Sequence, residues 1–242
     1  MLFLHNNKPP NYMDLVDWRW DTLLTKEPET IAWLDTLQPG DVLVDGGANI
    51  GLYATYAAKI QPEALIIAIE PHPINVATMY QIIEGLPNVF VINACLTEHD
   101  VLGHFLLPED NRPGNAGGVF NDHKLGINPY YLWPGSVITQ GLSLDSIIMR
   151  YCSRLPWPTH IKLDIDDGTI GALKGMGICL LRGNFKSLLV EVTDNILEEA
   201  VHLITSYGLP LDEQLMSLPD HSNHRRKADP NNHTKNLIFK KG

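Results

Sequence analysis

Apolar runs of four to six residues alternate with amphipathic stretches of about ten along most of the chain. Residues 14 to 37 set Trp18, Trp20, Leu23, Leu24, Ile31, Trp33, Leu34 and Leu37 among acids, with Pro28 as a break, which predicts two short amphipathic helices. Pro39-Gly40 signals a turn. The apolar run Val42-Leu43-Val44 then leads into Asp45-Gly46-Gly47-Ala48-Asn49-Ile50-Gly51 and a helical stretch through Ala58: strand, glycine loop, helix. A second run, Leu65 to Ile69, ends at Glu70-Pro71. Asn75 to Glu84 is helical in pattern, and Val89 to Ala94 gives a third strand.

The alternation resumes after a long gap. Leu144 to Met149 is predicted helical, His160 to Ile165 extended, Gly171 to Met176 helical, Ser187 to Val192 extended, and Ile196 to Tyr207 helical with Gly208 as its stop. Strands alternating with helices imply right-handed crossovers and a buried parallel sheet. Leu209 to Met216 and Asn236 to Lys240 follow without a helix between them, so the sheet is expected to finish in an antiparallel hairpin. The expected organisation is one α/β domain: a helical cap over 1–39, a core over 40–207 carrying a lid-like insertion at 97–142, and a terminal hairpin over 208–242.

Composition narrows the class. Hydrophobic residues at 44% and charged residues at 19%, with glycine and proline scattered without period, exclude a disordered, collagenous or coiled-coil chain. The formal charge of −10 argues against a broad grip on a phosphate backbone, so no nucleic-acid partner is expected. Cys95, Cys152 and Cys179 are far apart and read as reduced thiols. The amino terminus lacks a basic region and a long apolar stretch, and no run of about 18 apolar residues occurs, so the expectation is a cytoplasmic protein with no membrane partner.

In an open α/β sheet, ligands bind at the carboxyl ends of the strands, which puts the loop at 45–51 first. Its spacing is neither Gly-x-Gly-x-x-Gly nor a P-loop, since no Gly-Lys-Ser/Thr closes it. Asp45 at the strand tip would repel a phosphate and attract a cation or a hydroxyl. Glu70, at the end of the next strand, is placed to accept from two ribose hydroxyls. A ligand with a ribose, an ammonium and no phosphate is S-adenosyl-L-methionine. The plainer alternative is that the glycines only make a tight turn and Glu70 only caps a helix.

Asp45 to Gly51, followed by Ile69-Glu70-Pro71-His72-Pro73, resembles the first two motifs of the FkbM family of S-adenosylmethionine-dependent methyltransferases. Leu144-Asp145-Ser146-Ile147, Ile161-Lys162-Leu163-Asp164-Ile165-Asp166, Leu173-Lys174-Gly175 and the strand around Glu191 continue the resemblance in the same order, over about residues 40 to 195. Asn236-Leu237-Ile238-Phe239 is similar to the family's last strand. The resemblance implies a Rossmann-like class I methyltransferase fold, a mostly parallel seven-stranded sheet with an antiparallel last strand and helices on both faces. It also implies O-methylation of a hydroxyl on a sugar or small natural product. Asp45, Gly46, Gly47, Asn49, Gly51, Glu70 and Pro71 would then hold the cofactor. One departure stands out: counted back from Lys174-Gly175, Thr169 takes the place of the family's second acid. A catalytically inactive cofactor-binding or scaffold protein is therefore the alternative, and a nucleotide-dependent α/β enzyme a third.

Methyl transfer from a sulfonium is an in-line displacement in which alignment supplies much of the acceleration, and an alcohol acceptor must also lose a proton to a base. Asp164, at the end of the fourth strand, is the candidate base. Asp166, two residues on, shares its face if the strand stays extended, so the pair forms the candidate catalytic set. The same carboxylates could hold Mg2+ with Glu191 or Asp194, or Asp166 and Asp167 could simply cap the next helix. Glu191 ends a very apolar strand and needs a partner, either Lys162 or substrate. His160, at the amino end of its strand about 13 Å from Asp164, reads as structural.

The long stretch before Ser143 rises on the ligand side. Tyr130, Tyr131 and Trp133 either stack on an acceptor or plug the domain's own core, and Asn115 resembles an asparagine of the family. The polar stretch 219–235 is either a solvated loop or a second lid in which Arg225 or Arg226 recognises an acidic group.

Overall fold

A computed structural model of the 242-residue chain describes residues 14–121, 136–151, 156–165, 168–212 and 234–242. Two short helices come first, α1 (Asp14–Thr22) and α2 (Pro28–Leu34), the latter with proline in its first turn where the missing amide costs nothing. The core follows as β1 (Val42–Gly46), α3 (Leu52–Ile60), β2 (Leu65–Ile69), α4 (Pro73–Ile82) and β3 (Val89–Ile92). After an insertion come α5 (Leu144–Tyr151), β8 (His160–Leu163), α6 (Thr169–Lys174), α7 (Gly177–Leu181), β9 (Ser187–Thr193), α8 (Leu197–Ser206) and β10 (Thr234–Lys240).

The main sheet has the order β10-β9-β8-β1-β2-β3, parallel throughout except for antiparallel β10 on β9. This is a Rossmann-like α/β arrangement, a mostly parallel sheet with an antiparallel strand at one edge. It has six strands among the described residues. In place of a full terminal hairpin, Leu211 makes a single antiparallel bridge to Phe239 on the far side of β10. The rest of the predicted strand Leu209 to Met216 lies mostly outside the described residues.

Alternation along the strands sends side chains to two faces. Val42, Val44, Ile67 and Ile69 pack with Ile147 of α5, Leu173 of α6 and Ile204 of α8. Leu43, Ile66, Ala68 and Leu189 pack with Trp33 of α2, Ala54 and Ala57 of α3 and Met79 of α4. Helices thus cover both faces of the sheet, which is why Val42 to Val44 of β1 and all of β2 read as unbroken apolar runs. The small residues on α3 let it lie close to the sheet and bring its amino end over the tip of β1.

The 97–142 insertion, with the two residues before it, forms a second sheet that the sequence did not reveal. β4 (Cys95–Leu96), β5 (Val101–Leu106), β6 (Val119–Asn121) and β7 (Ser136–Leu142) assemble in the order β4-β7-β5-β6, with β5 antiparallel to both β6 and β7. No helix among the described residues is long and apolar enough to cross a membrane.

Candidate functional site

Three neighbouring strands end at one level. Gly46 is in register with Ile69 on β2 and with Leu163 on β8, so Gly47, Glu70 and Asp164 each stand one step past a strand end. The turn after β1 is held by the amides of Gly47 and Ala48 donating to the Ile69 carbonyl at 2.9 and 3.0 Å, and by the Asp164 amide donating to the Gly46 carbonyl at 2.9 Å. Its path requires left-handed backbone at Gly47, Asn49 and Gly51. Gly47 is also space-limited: a Cβ there would lie 1.8 Å from the Asp164 carbonyl oxygen. The glycine brings the β1 turn and the candidate base into backbone contact.

Asp45 is buried at the carboxyl end of β1. It is 1% exposed, and neither carboxylate oxygen makes a standard hydrogen bond. Asp45 is the register partner of Lys162 on β8, whose Nζ lies 3.8 Å from Asp45 Oδ1 and 3.1 Å from Asp164 Oδ2, and 5.1 Å from the centre of the Tyr53 ring. Burial pushes the Asp45 carboxyl up, with Lys162 opposing it. Burial alone would lower the lysine, but Asp164 and Asp45 beside it hold it above the usual lysine range. The sequence offered Glu191 as the partner of Lys162; the structure gives it these two other carboxylates. Asp45 thus sits beneath the pocket lining, next to Lys162, which is part of that lining.

Glu70 accepts from the Asn49 amide and the His72 amide, both at 2.9 Å, and is 6% exposed. Burial pushes its carboxyl up to about 7, against the pull of the His72 and Asn49 amides. Helix α4 is capped by a different group, His72, whose Nδ1 accepts from the Ile74 amide at 3.2 Å. The carbonyls of Glu70 and Pro71 accept from Asn93 Nδ2 at 2.8 and 3.0 Å.

The segment at 110–118 lies across the ends of β1 and β2. The Asn115 carbonyl accepts from Asn49 Nδ2 at 2.9 Å and Asn75 Nδ2 at 3.1 Å, while the Gly114 amide donates to Asn75 Oδ1 at 2.8 Å. Arg19 Nε of α1 donates to the Gly114 carbonyl. It is the backbone of Asn115 that engages the site; its side chain donates to the Asp110 carbonyl and accepts from the Ala116 amide. Asn75, 1% exposed, was missed in the sequence. It lies in the first turn of the helix after β2, which in this topology stands on the ligand side, and that placement was the available signal.

Between α1, the glycine loop and the end of β8 lies a half-open pocket with about 450 Å3 of empty space, solvent mouth included. Its walls include Arg19, Lys26, Asn49, Tyr53, Lys162 and Asp164. Asp164 is the exposed member of the ion-pair group, at 27%. Glu191 sits on β9 opposite Asn236, 9% exposed. No group of three metal-ligating side chains gathers among the described residues, so the expectation of Mg2+ on Asp164 and Glu191 gains no support. Asp166, Tyr131, Trp133 and Arg225 lie outside the described residues. His160 is at the amino end of β8, 3% exposed, with Nδ1 2.9 Å from Thr159 Oγ1 and its ring edge-on to Trp33.

No protein-family model matches the chain, and no curated protein matches it. Solved structures do align with it. A precorrin-6y C5,15-methyltransferase from Geobacter metallireducens GS-15 is 15% identical over 78% of this chain and 75% of that one, with a TM-score of 0.46. Methyltransferase FkbM from Methylobacillus flagellatus KT is 17% identical over 99% of this chain, which spans 57% of that chain, with a TM-score of 0.45. Aeropyrum pernix fibrillarin, solved with natively bound S-adenosyl-L-methionine, is 10% identical over 88% and 74% of the two chains, with a TM-score of 0.47.

Proposed function

We propose that the chain is an S-adenosylmethionine-dependent methyltransferase acting on a hydroxyl of a sugar or small natural product. The observation that carries this reading is the convergence of three functions on three adjacent strand ends: a glycine turn after β1, a buried acid after β2 and a part-exposed acid after β8. The residues present fit the cofactor. Glu70 offers carboxylate oxygens for a ribose diol, the turn at Gly47 to Gly51 keeps side chains off the floor, and the adjoining pocket carries both signs of charge. When bound, the cofactor supplies a methyl group on a sulfonium. The chain's own contribution is to align the acceptor and take its proton.

Asp164 is the proton acceptor in this reading. Asp164 lines the pocket with a side chain 27% exposed, and Lys162 donates to its Oδ2 at 3.1 Å, which orients the carboxylate. Lys162 in turn is fixed by Asp45 from beneath, so the ion-pair group aims the base. Asp164→Asn is expected to retain binding of S-adenosylhomocysteine while methyl transfer falls by about 10²- to 10⁴-fold, measured by single-turnover transfer to an acceptor found in a metabolite extract. Unchanged transfer in this variant removes the base assignment.

The second reading, a cofactor-binding protein without transfer, is favoured by Thr169, fully buried at the start of α6 where the resembling family has an acid. Cofactor affinity with no methylated product from any extract supports it.

A further inference from the structure

The acid that the cofactor reading gives to a ribose diol, Glu70, is 6% exposed and is not among the walls of the adjoining pocket. The two residues that stand against it are also the two that hold the 110–118 segment down. Asn49 donates its amide to Glu70 Oε2 at 2.9 Å and its Nδ2 to the Asn115 carbonyl at 2.9 Å. Asn75, beside the Glu70 carboxylate, bonds the segment twice: its Oδ1 accepts from the Gly114 amide at 2.8 Å and its Nδ2 donates to the Asn115 carbonyl at 3.1 Å. Arg19 of α1 adds a bond to the Gly114 carbonyl.

The segment itself is a self-bonded turn. The Asn115 amide donates to the Arg112 carbonyl at 3.2 Å, the Asn115 side chain to the Asp110 carbonyl, and Arg112 Nη2 pairs with Asp110 Oδ2 at 2.7 Å. No residue of 107–118 belongs to the apolar clusters that join the helices to the main sheet. A compact turn fastened by polar bonds, each of which water can replace at small net cost, can lift without unfolding the core beneath it. Gly114 and Gly117 carry left-handed backbone, at φ 84° and 88°, and a Cβ at Gly117 would meet nothing within 4 Å, so that end is free to pivot.

Resting on the cofactor reading above, we infer that the 110–118 segment is a gate over Glu70: it is closed in this structure by Asn49 and Asn75, and the nucleoside binds the form in which it has swung away. Affinity is then reduced by the fraction of molecules that are open, about 0.1–10% for a minor state of this kind. By reciprocity, the bound nucleoside holds the segment open.

The test combines hydrogen exchange, calorimetry and stopped-flow tryptophan fluorescence on the full chain with S-adenosylhomocysteine. In the wild-type chain the Gly114 amide is expected to exchange about tenfold or more faster in the complex than in the free protein. Gly117→Ala penalises the left-handed turn of the closed form and is expected to bind about fivefold more tightly. Asn75→Ala, which removes two of the fastenings, is expected to associate about tenfold faster. Unchanged or slower exchange of Gly114 in the complex overturns the inference, since the segment would then stay put or close on the ligand; this measurement needs no variant to fold. So does a Gly117→Ala chain that binds no more tightly than the wild type, or an Asn75→Ala chain that associates no faster. A wild-type chain that shows no binding at all sinks the cofactor reading and the gate with it, whereas binding that leaves Gly114 undisturbed sinks the gate alone.

Discussion

Gly47 shows how one missing side chain sets the geometry of the whole site. A methyl group there would meet the Asp164 carbonyl at 1.8 Å in a left-handed backbone, whereas Gly40, also left-handed, has nothing within 4 Å of the same position. Gly47→Ala is expected to cost about 3 kcal/mol or more, and Gly40→Ala only about 1 kcal/mol, as read by chemical denaturation. Lys162 is the second decisive residue. Truncating it in Lys162→Met leaves Asp45 buried without its cation, for an expected loss of about 3–5 kcal/mol. The paired change Asp45→Leu with Lys162→Met is expected to recover most of that loss, since the cost lies in the orphaned charge. An additive double variant contradicts the pairing. The glycine turn and Glu70 were legible in the sequence because each follows an apolar run, and Asp164 because it follows the predicted fourth strand. The burial of Asp45 beneath Lys162 was not, because it depends on the register of β1 against β8, strands more than a hundred residues apart.

At the level of elements, the main strands follow the apolar pattern, since strands of a doubly covered parallel sheet such as β2 are nearly continuous in hydrophobic residues. The second sheet was hidden by glycines. Gly103 on β5 and Gly141 on β7 interrupt the alternation because the Phe120 ring lies across both: a Cβ would come within 2.6 Å of it at Gly103 and 2.8 Å at Gly141. Part of the stretch that reads as an irregular lid is therefore a small, mostly antiparallel sheet around one aromatic ring, and the connection between β5 and β6 reaches the site at Gly114 and Asn115. Asn75 is the fastening. Asn75→Ala is expected to lower global stability by only about 1–2 kcal/mol, yet to speed hydrogen exchange of the Gly114 amide by tenfold or more. Amides in the β5–β7 ladder should be unchanged. Protection of Gly114 at the wild-type level in that variant means the segment is held by something other than Asn75.

Across the whole molecule, the helical cap and the parallel core line one pocket, and long-range hydrogen bonds join the parts, Arg19 to Gly114 of the insertion across 95 positions and Asn236 to Glu29 across 207. Such closures are invisible to local periodicity, which is why the fold was readable and the full lining of the site was not. The central claim is that this junction binds S-adenosylmethionine with Glu70 on the ribose, and titration calorimetry across pH tests it most directly. A ribose diol donates to the ionised carboxylate, and in the free protein burial holds Glu70 up to about 7. Affinity should therefore rise by about tenfold between pH 6 and pH 8, as the fraction of ionised Glu70 grows, and Glu70→Gln should bind more weakly with that rise removed. One-to-one binding with this pH profile is the predicted result; no heat of binding at millimolar nucleoside, or a profile that Glu70→Gln leaves intact, would contradict it.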